Sequence, residues 1–270
     1  MDTRQKIGFI GCGNMGGALV RAAARAVPDC QFYLCDHHAD RVAALAAETH
    51  GTVCDGKTAA EESDFLFLGV KPQGMEKLFE ELRPVLQKRT APCVLVSMAA
   101  GLSVSHVEAL SGGKCPVIRI MPNTPVSVGA GMILYAVNSL ITEEMEHAVL
   151  EILSAAGVCD RLDEAKMDAA GALSGCGPAY VYLFAEALAD GAVACGLPRG
   201  KANTYAAQTL LGAAKLLLDS GEHPGALKDA VCSPGGTTIA GVHALESGAF
   251  RACAMDAVIA AYERTLELKK

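Results

Sequence analysis

Up to about Leu162, six short apolar runs alternate with helical patterns, and beyond Asp163 no such run recurs. The runs occupy residues 7–10, 32–35, 65–68, 93–97, 117–120 and 132–136. Several are apolar at every position instead of every second one, the pattern of strands covered on both faces in a parallel sheet. Residues 15–25, 39–48 and 74–86 between them carry helical spacing. Such alternation builds βαβ units and an open, doubly wound sheet. After the change, residues 166–173, 179–195, 199–218, 226–232, 237–246 and 250–268 all read as helices. The expected organisation is therefore α/β over 1–162 followed by an all-helical domain over 163–270. No Pro/Gly-rich linker separates them, so they should abut. The Ala-rich stretch 180–194 is apolar on most faces, which calls for burial among several helices. Six modest helices in one chain cannot cover that much surface, which points to a helical oligomer interface.

Composition removes other classes. At 51% hydrophobic the chain is no disordered polymer, and at 5% aromatic its core must be filled by small side chains. A net charge of −7 argues against a nucleic-acid surface. No apolar run reaches the ~18–20 residues of a membrane helix. The 11 cysteines are scattered, odd in number and without CxxC or zinc-like Cys/His spacing, and the start of the chain lacks a signal-peptide core. They read as packing residues of a reducing, cytoplasmic environment, with no metal site expected.

The first apolar run leads into Gly11-Cys12-Gly13-Asn14-Met15-Gly16, a GxGxxG that follows a strand and opens a helix. In that context it is the dinucleotide fingerprint of a Rossmann-type sheet. Gly11 serves the tight turn, Gly13 the approach of a pyrophosphate and Gly16 helix–strand packing, while the helix start offers N–H groups to phosphate. Asp36 ends the second strand, 20 residues beyond Gly16. An acid there accepts from the adenosine ribose hydroxyls and favours NADH over NADPH. His37, His38 and Arg41 can offset its repulsion of a 2′-phosphate, and Asp36 can alternatively serve as a helix cap. Two further strand ends face the expected ligand crevice: Lys71, before the strand-stopping Pro72, and Asn123, between two prolines. Lys71 is read as a cofactor contact or a solvated loop residue. Asn123 is read as a nicotinamide-side ligand or a simple turn former.

The helical half lacks the Lys that a 3-hydroxyacid or 6-phosphogluconate type dehydrogenase places in its first substrate-domain helix; after Gly175-Cys176-Gly177-Pro178 the next Lys is Lys201. It offers instead Ser233-Pro234-Gly235-Gly236-Thr237-Thr238, where flexible glycines run into a Thr pair at a helix start. Free N–H groups at Gly236, Thr237 and Thr238 would cradle a carboxylate without a charged side chain. The other reading makes Thr237 or Thr238 a plain N-cap. His223 upstream reads as structural.

Together FIGCGNMG, VKPQ, RIMPNTP, LSGCGPAY and HPGALKDAVCSPGGTTIAGVHALESG make the chain resemble the pyrroline-5-carboxylate reductase family over nearly its full length. The resemblance implies NAD(P)H-dependent reduction of the cyclic imine 1-pyrroline-5-carboxylate to L-proline. It implies a homodimer of interleaved helical domains and assembly of dimers into decamers. It places Ser233, Gly236, Thr237 and Thr238 at the substrate carboxylate and ring nitrogen, with Gly235 in the same loop and Ser174 and Pro178 at the pocket border. It lines the cofactor with Gly11 to Gly16, Val70, Lys71, Pro72 and Asn123. Thr238 is the expected catalytic contact, and the active site is expected in the cleft between the domains. A protonated imine needs no strong general acid, which fits the missing Lys. A related ring substrate, a 3-hydroxyacid activity, and dinucleotide binding without turnover are the competing readings. Cys12, Cys176 and Cys232 lie in functional loops, so their oxidation is expected to inhibit.

Overall fold

The computed structural model describes residues 5–268. Eight strands, β1 (Lys6–Ile10), β2 (Gln31–Cys35), β3 (Thr52–Val53), β4 (Phe65–Leu68), β5 (Val94–Ser97), β6 (Val117–Pro122), β7 (Gly131–Val137) and β8 (Gly157–Arg161), form one sheet in the order 3-2-1-4-5-6-7-8. The first six positions follow the doubly wound dinucleotide order. Helices α1 (Asn14–Ala26), α2 (Ala39–Thr49), α3 (Gly56–Glu62), α4 (Pro72–Lys88), α5 (Val104–Ser111) and α6 (Glu143–Leu153) cover it. Two apolar cores result. Phe9, Leu19, Leu34 and Val96 belong to one, and Leu66, Phe79, Leu82 and Leu95 to the other. The wholly apolar strands β4 and β5 are buried at every position, as their sequence requires.

The sheet departs from the expected parallel arrangement at one pair, since β7 runs antiparallel to β6. The connection from Pro122 to Gly131, which includes a 3-10 turn (Thr124–Val128), is too short for a crossover helix. Strand β8 then pairs parallel to β7. Pro72 does not merely stop a strand; it occupies the first turn of α4, where its missing N–H costs nothing.

Beyond β8 the elements are helical: α7 (Met167–Ser174), α8 (Gly177–Ala194), α9 (Arg199–Ser220), α10 (Pro224–Val231), α11 (Thr237–Ser247) and α12 (Phe250–Glu267). The compact units do not part where the strands end. One unit runs to Gly175 and takes in the chain from Arg264 on, and the other is Cys176–Glu263. The reason is α7: Met167 is fully buried in the sheet's core, and Gly171 lies so close to Met121 that a Cβ there would meet its sulfur at 2.1 Å.

The helical unit has scarcely any core of its own. Its buried hydrophobic residues are Ala189, Ala202 and Ala206, joining α8 to α9, with Leu197 and Val193 packed alongside. Tyr182, Leu183, Leu211, Leu218 and Met255 are exposed. Side chains of α8, α11 and α12, including Phe184, Leu245 and Phe250, surround an open apolar cavity of about 580 Å³. Helices apolar on most sides and yet uncovered mark a surface that association must bury. No helix among the described residues is long and apolar enough to cross a membrane.

Candidate active site

One candidate region lies where the strand order reverses, between β1 and β4, the position at which doubly wound sheets bind ligands. Gly11 N–H donates to Cys35 O at 2.8 Å, and Gly69 N–H donates to Ile10 O at 2.7 Å, so the ends of β1, β2 and β4 are laced together. Gly11 has φ +94°, and a Cβ on it would stand 2.6 Å from the Gly69 carbonyl and 3.1 Å from Val70 N. A Cβ on Gly16 would meet Gly11 O at 2.0 Å. Gly13 is different: its surroundings are open, with Arg41 Nη1 the nearest atom, 3.8 Å from where its Cβ would lie. Two of the three fingerprint glycines are thus needed by the fold, and the third leaves room for a ligand. Helix α1 starts at Asn14 without a side-chain cap and without an acid in its first turn. Its N–H groups and partial positive charge are available to an anion. These features fit a dinucleotide pyrophosphate over Gly13, Asn14, Met15 and Gly16, with the Arg41 guanidinium beside it.

Asp36 directly follows β2. Its carboxylate accepts Cys12 N–H at 2.7 Å and His38 N–H at 2.9 Å, and the side chain is only 3% exposed. Burial pushes its pKa upward, but the two backbone N–H bonds and the adjacent His37 outweigh that and hold it below the usual carboxylate range. His38, not Asp36, is the N-cap residue of α2. Each Asp36 oxygen keeps a lone pair for a ribose hydroxyl. Cys12 is buried, and burial first, then the Asp36 charge, pushes its thiol up to about 12. A thiol held protonated is a poor target for oxidation, so Cys12 leaves the set of reactive cysteines.

Val70 and Lys71 follow β4 on the same edge, where Lys71 is an exposed N-cap of α4. Asn123 spends its amide within the protein. Its Oδ1 accepts Met132 N–H at 2.9 Å, and its Nδ2 donates to Ser174 O at 2.9 Å. It clamps β6, β7 and the end of α7 together, with one N–H left for a ligand. Ser174 Oγ is buried without a hydrogen-bond partner, which in a native fold calls for an explanation.

Sequence reading missed the group beneath this clamp. Arg119, 3% exposed in the apolar strand β6, donates from Nη1 to Glu164 Oε1 at 3.0 Å, and its Nη2 stands 3.6 Å from Asp168 Oδ1. Glu164 Oε1 also accepts Val104 N–H at 2.8 Å. A charge inside an otherwise apolar strand was the available signal, because it demands a buried partner.

A separate candidate region belongs to the helical unit. Gly236 N–H donates to Ser233 O at 3.0 Å, and Gly235 has φ +66°, so Ser233-Pro234-Gly235-Gly236 closes with proline and glycine where a type II turn wants them. The Ser233 hydroxyl lies over Gly236: a Cβ at 236 would come within 2.3 Å of Oγ. Gly236 is the N-cap of α11, and no side chain caps this helix and no acid lies in its first turn. The plain-cap reading of Thr237 and Thr238 therefore gives way. Thr237 is exposed and Thr238 half-buried. Pro178 sits in the first turn of α8. His223 caps α10, its Nδ1 accepting Gly225 N–H at 3.0 Å.

Comparison with known proteins covers both halves of the chain. Residues 6–101 match the family model described as NADP oxidoreductase coenzyme F420-dependent, and residues 164–268 match the one described as pyrroline-5-carboxylate reductase dimerisation. A pyrroline-5-carboxylate reductase of Escherichia coli (strain K12) is 40% identical over 98% of this chain and 99% of its own length. The solved pyrroline-5-carboxylate reductase of Coxiella burnetii superposes with a TM-score of 0.91 at 31% identity, over 99% of this chain and 100% of that one. The pyrroline carboxylate reductase of Plasmodium falciparum with NADP bound gives 0.84 at 30% identity, over the whole of both chains. An NAD(P) oxidoreductase sheet, a dimerisation segment and full-length likeness to these enzymes coincide in one polypeptide, and the chain belongs to the pyrroline-5-carboxylate reductase family.

Proposed function

We propose that the protein reduces 1-pyrroline-5-carboxylate to L-proline, and that the loop from Ser233 to Thr238 holds the substrate. The observation that carries this reading is the uncapped start of α11, an anion site made of backbone and free of charged side chains. The N–H groups of Thr237 and Thr238 bind the substrate carboxylate, with Ser233 Oγ beside them, while the Gly236 N–H, expected to be free, is already given to Ser233 O in the turn. The Thr238 hydroxyl bonds the ring nitrogen. Ser174 Oγ and Pro178 border the ring. A bound dihydronicotinamide supplies the hydride. The imine nitrogen arrives protonated, so hydride addition to the imine carbon gives the amine directly, and no side chain has to deliver a proton. What remains for the protein is positioning. The direct test mixes the protein with pyrroline-5-carboxylate and follows loss of dihydronicotinamide absorbance; turnover of hydroxyacids alone would overturn the reading.

Thr238→Ala is expected to lower kcat/KM by 10- to 100-fold, about 1.4–2.7 kcal/mol, as for a hydrogen bond that matters in the transition state. Unchanged kinetics in a folded variant remove Thr238 from the chemistry.

NADH is the preferred donor in this reading, because the buried, ionised Asp36 opposes a 2′-phosphate while Arg41 only partly offsets it. Asp36→Ser should shift the ratio of kcat/KM values toward NADPH. A ratio that stays at its wild-type value assigns discrimination elsewhere.

The protein works as a homodimer of interleaved helical units in this reading, with decamers as a further assembly, in the cytoplasm. The exposed apolar helices support it. Sedimentation of the wild-type chain should give at least a dimer mass, and Leu183→Glu should lower it. A wild-type monomer at micromolar concentration is the contrary result.

A further inference from the structure

Among the described residues, one trio of His and Asp side chains brings its donor atoms together: Asp36, His37 and His38, all within 4.8 Å of one another. His37 Nδ1 and His38 Nδ1 each stand 3.4 Å from the same oxygen, Asp36 Oδ1. The two imidazoles lie side by side, ring centroids 4.0 Å apart and planes tilted by 59°. Metal–ligand bonds of ~2.0–2.1 Å in tetrahedral array put neighbouring ligand atoms ~3.4 Å apart. These two separations therefore match the edges of a four-coordinate site. As two cations, imidazoles this close would repel; as neutral ligands they suit zinc, nickel or cobalt. The carboxylate is already oriented by Cys12 N–H and His38 N–H, the outer support that metal ligands normally have. Both histidines are exposed, His37 at 83%, so the fourth position opens to water and the ion has free entry.

We propose that Asp36, His37 and His38 bind a divalent transition-metal ion, and that this ion and the adenosine end of the dinucleotide exclude one another. The exclusion rests on the reading of Asp36 as the ribose acceptor: the ion takes the lone pair on Oδ1 that a ribose hydroxyl would use and covers the approach to it. The oxidoreductase then meets its cofactor in competition with free metal, at the start of α2.

The experiment titrates Co²⁺ into the full-length chain stripped of dinucleotide. One equivalent should bind with visible ligand-field bands and without a thiolate charge-transfer band, and Zn²⁺ should displace it. His37→Gln and His38→Gln should each weaken binding by at least about tenfold, while a Cys195→Ser/Cys253→Ser double variant should bind as wild type. Saturating NADH should release the ion. A thiolate band that survives His37→Gln, or no binding at all, overturns the site. Cobalt retained under saturating NADH overturns the exclusion. Asp36→Ser separates this from the cofactor reading: cobalt lost while the NADH to NADPH ratio is unchanged keeps the metal site and sinks the ribose role.

Discussion

Gly11→Ala is expected to cost the protein both stability and dinucleotide binding, whereas Gly13→Ala is expected to fold normally and lose binding alone. The two positions lie in one fingerprint, but they answer to different demands. At Gly11 the backbone has φ +94°, where an L side chain is strained by about 1–3 kcal/mol before any contact is counted. Its Cβ would also stand 2.6 Å from the carbonyl carbon and oxygen of Gly69, a backbone atom pair that no rotamer change can move. Gly69 is itself hydrogen-bonded to Ile10, so relief requires parting β1 from β4 at the switch point. Gly13 has φ −68° and ψ −158°, open to alanine, and its Cβ would touch nothing nearer than Arg41 Nη1 at 3.8 Å. Only a ligand lying against the backbone makes that position intolerant. Thermal unfolding and NADH fluorescence titration on both variants check this. The expected pattern is a lowered melting temperature with dinucleotide affinity down more than about 100-fold for Gly11→Ala, the strain and the misplaced turn adding, and a wild-type melting temperature with at least about tenfold weaker binding for Gly13→Ala. Equal melting temperatures would mean the turn is not clamped; unimpaired NADH binding by Gly13→Ala would move the pyrophosphate away from the turn.

The same distinction explains what was legible in the sequence. The strands covered on both faces announce themselves by unbroken apolar residues, as in Phe65–Leu68. The edge strands do not: Thr52–Val53 is two exposed residues, and Gly157–Arg161 carries Asp160 and Arg161 on a strand that is exposed or half-buried throughout. The helical stretches after Asp163 were readable nearly to their ends because proline and glycine bracket them, Pro198 before α9 and Gly221 after it. The antiparallel turn of β7 follows from a connection too short to cross over, a length argument open to anyone holding the sequence. The loop from Ser233 to Thr238 stood out in the sequence by its adjacent glycines and threonines, whereas the uncapped state of α11 had to be seen in space. The clamp role of Asn123 depends on Met132 and Ser174, neighbours that only the fold supplies. Arg119 is the clearest omission. Its partners Glu164 and Asp168 lie 45 and 49 residues away, across the boundary where the strands end, and no local pattern links them.

Arg119→Ala should lower stability by about 3–5 kcal/mol, the cost typical of removing one partner from a buried ionic group. Two carboxylates would remain around the gap: Asp168, its side chain 11% exposed, and Glu164, which still accepts Val104 N–H at 2.8 Å. Without the guanidinium they lose the cation between them and repel each other. The effect should be read as a shift of the urea midpoint at fixed protein concentration, because an associating chain has a concentration-dependent stability. A double-mutant cycle isolates the charge. Asp168→Asn keeps the shape of the side chain and removes one of the two negative charges, so Arg119→Ala/Asp168→Asn should be more stable than the sum of the single effects by about 0.5–3 kcal/mol. A loss under about 1 kcal/mol for Arg119→Ala, or strict additivity in the cycle, would show that β6 and α7 are held by apolar packing of Met167 and Gly171 alone. The consequence reaches the site through one contact: α7 ends at Ser174, whose carbonyl takes the Asn123 amide. If the ion group anchors α7, Arg119→Ala also frees Ser174, and the KM for the imine should rise more than kcat falls.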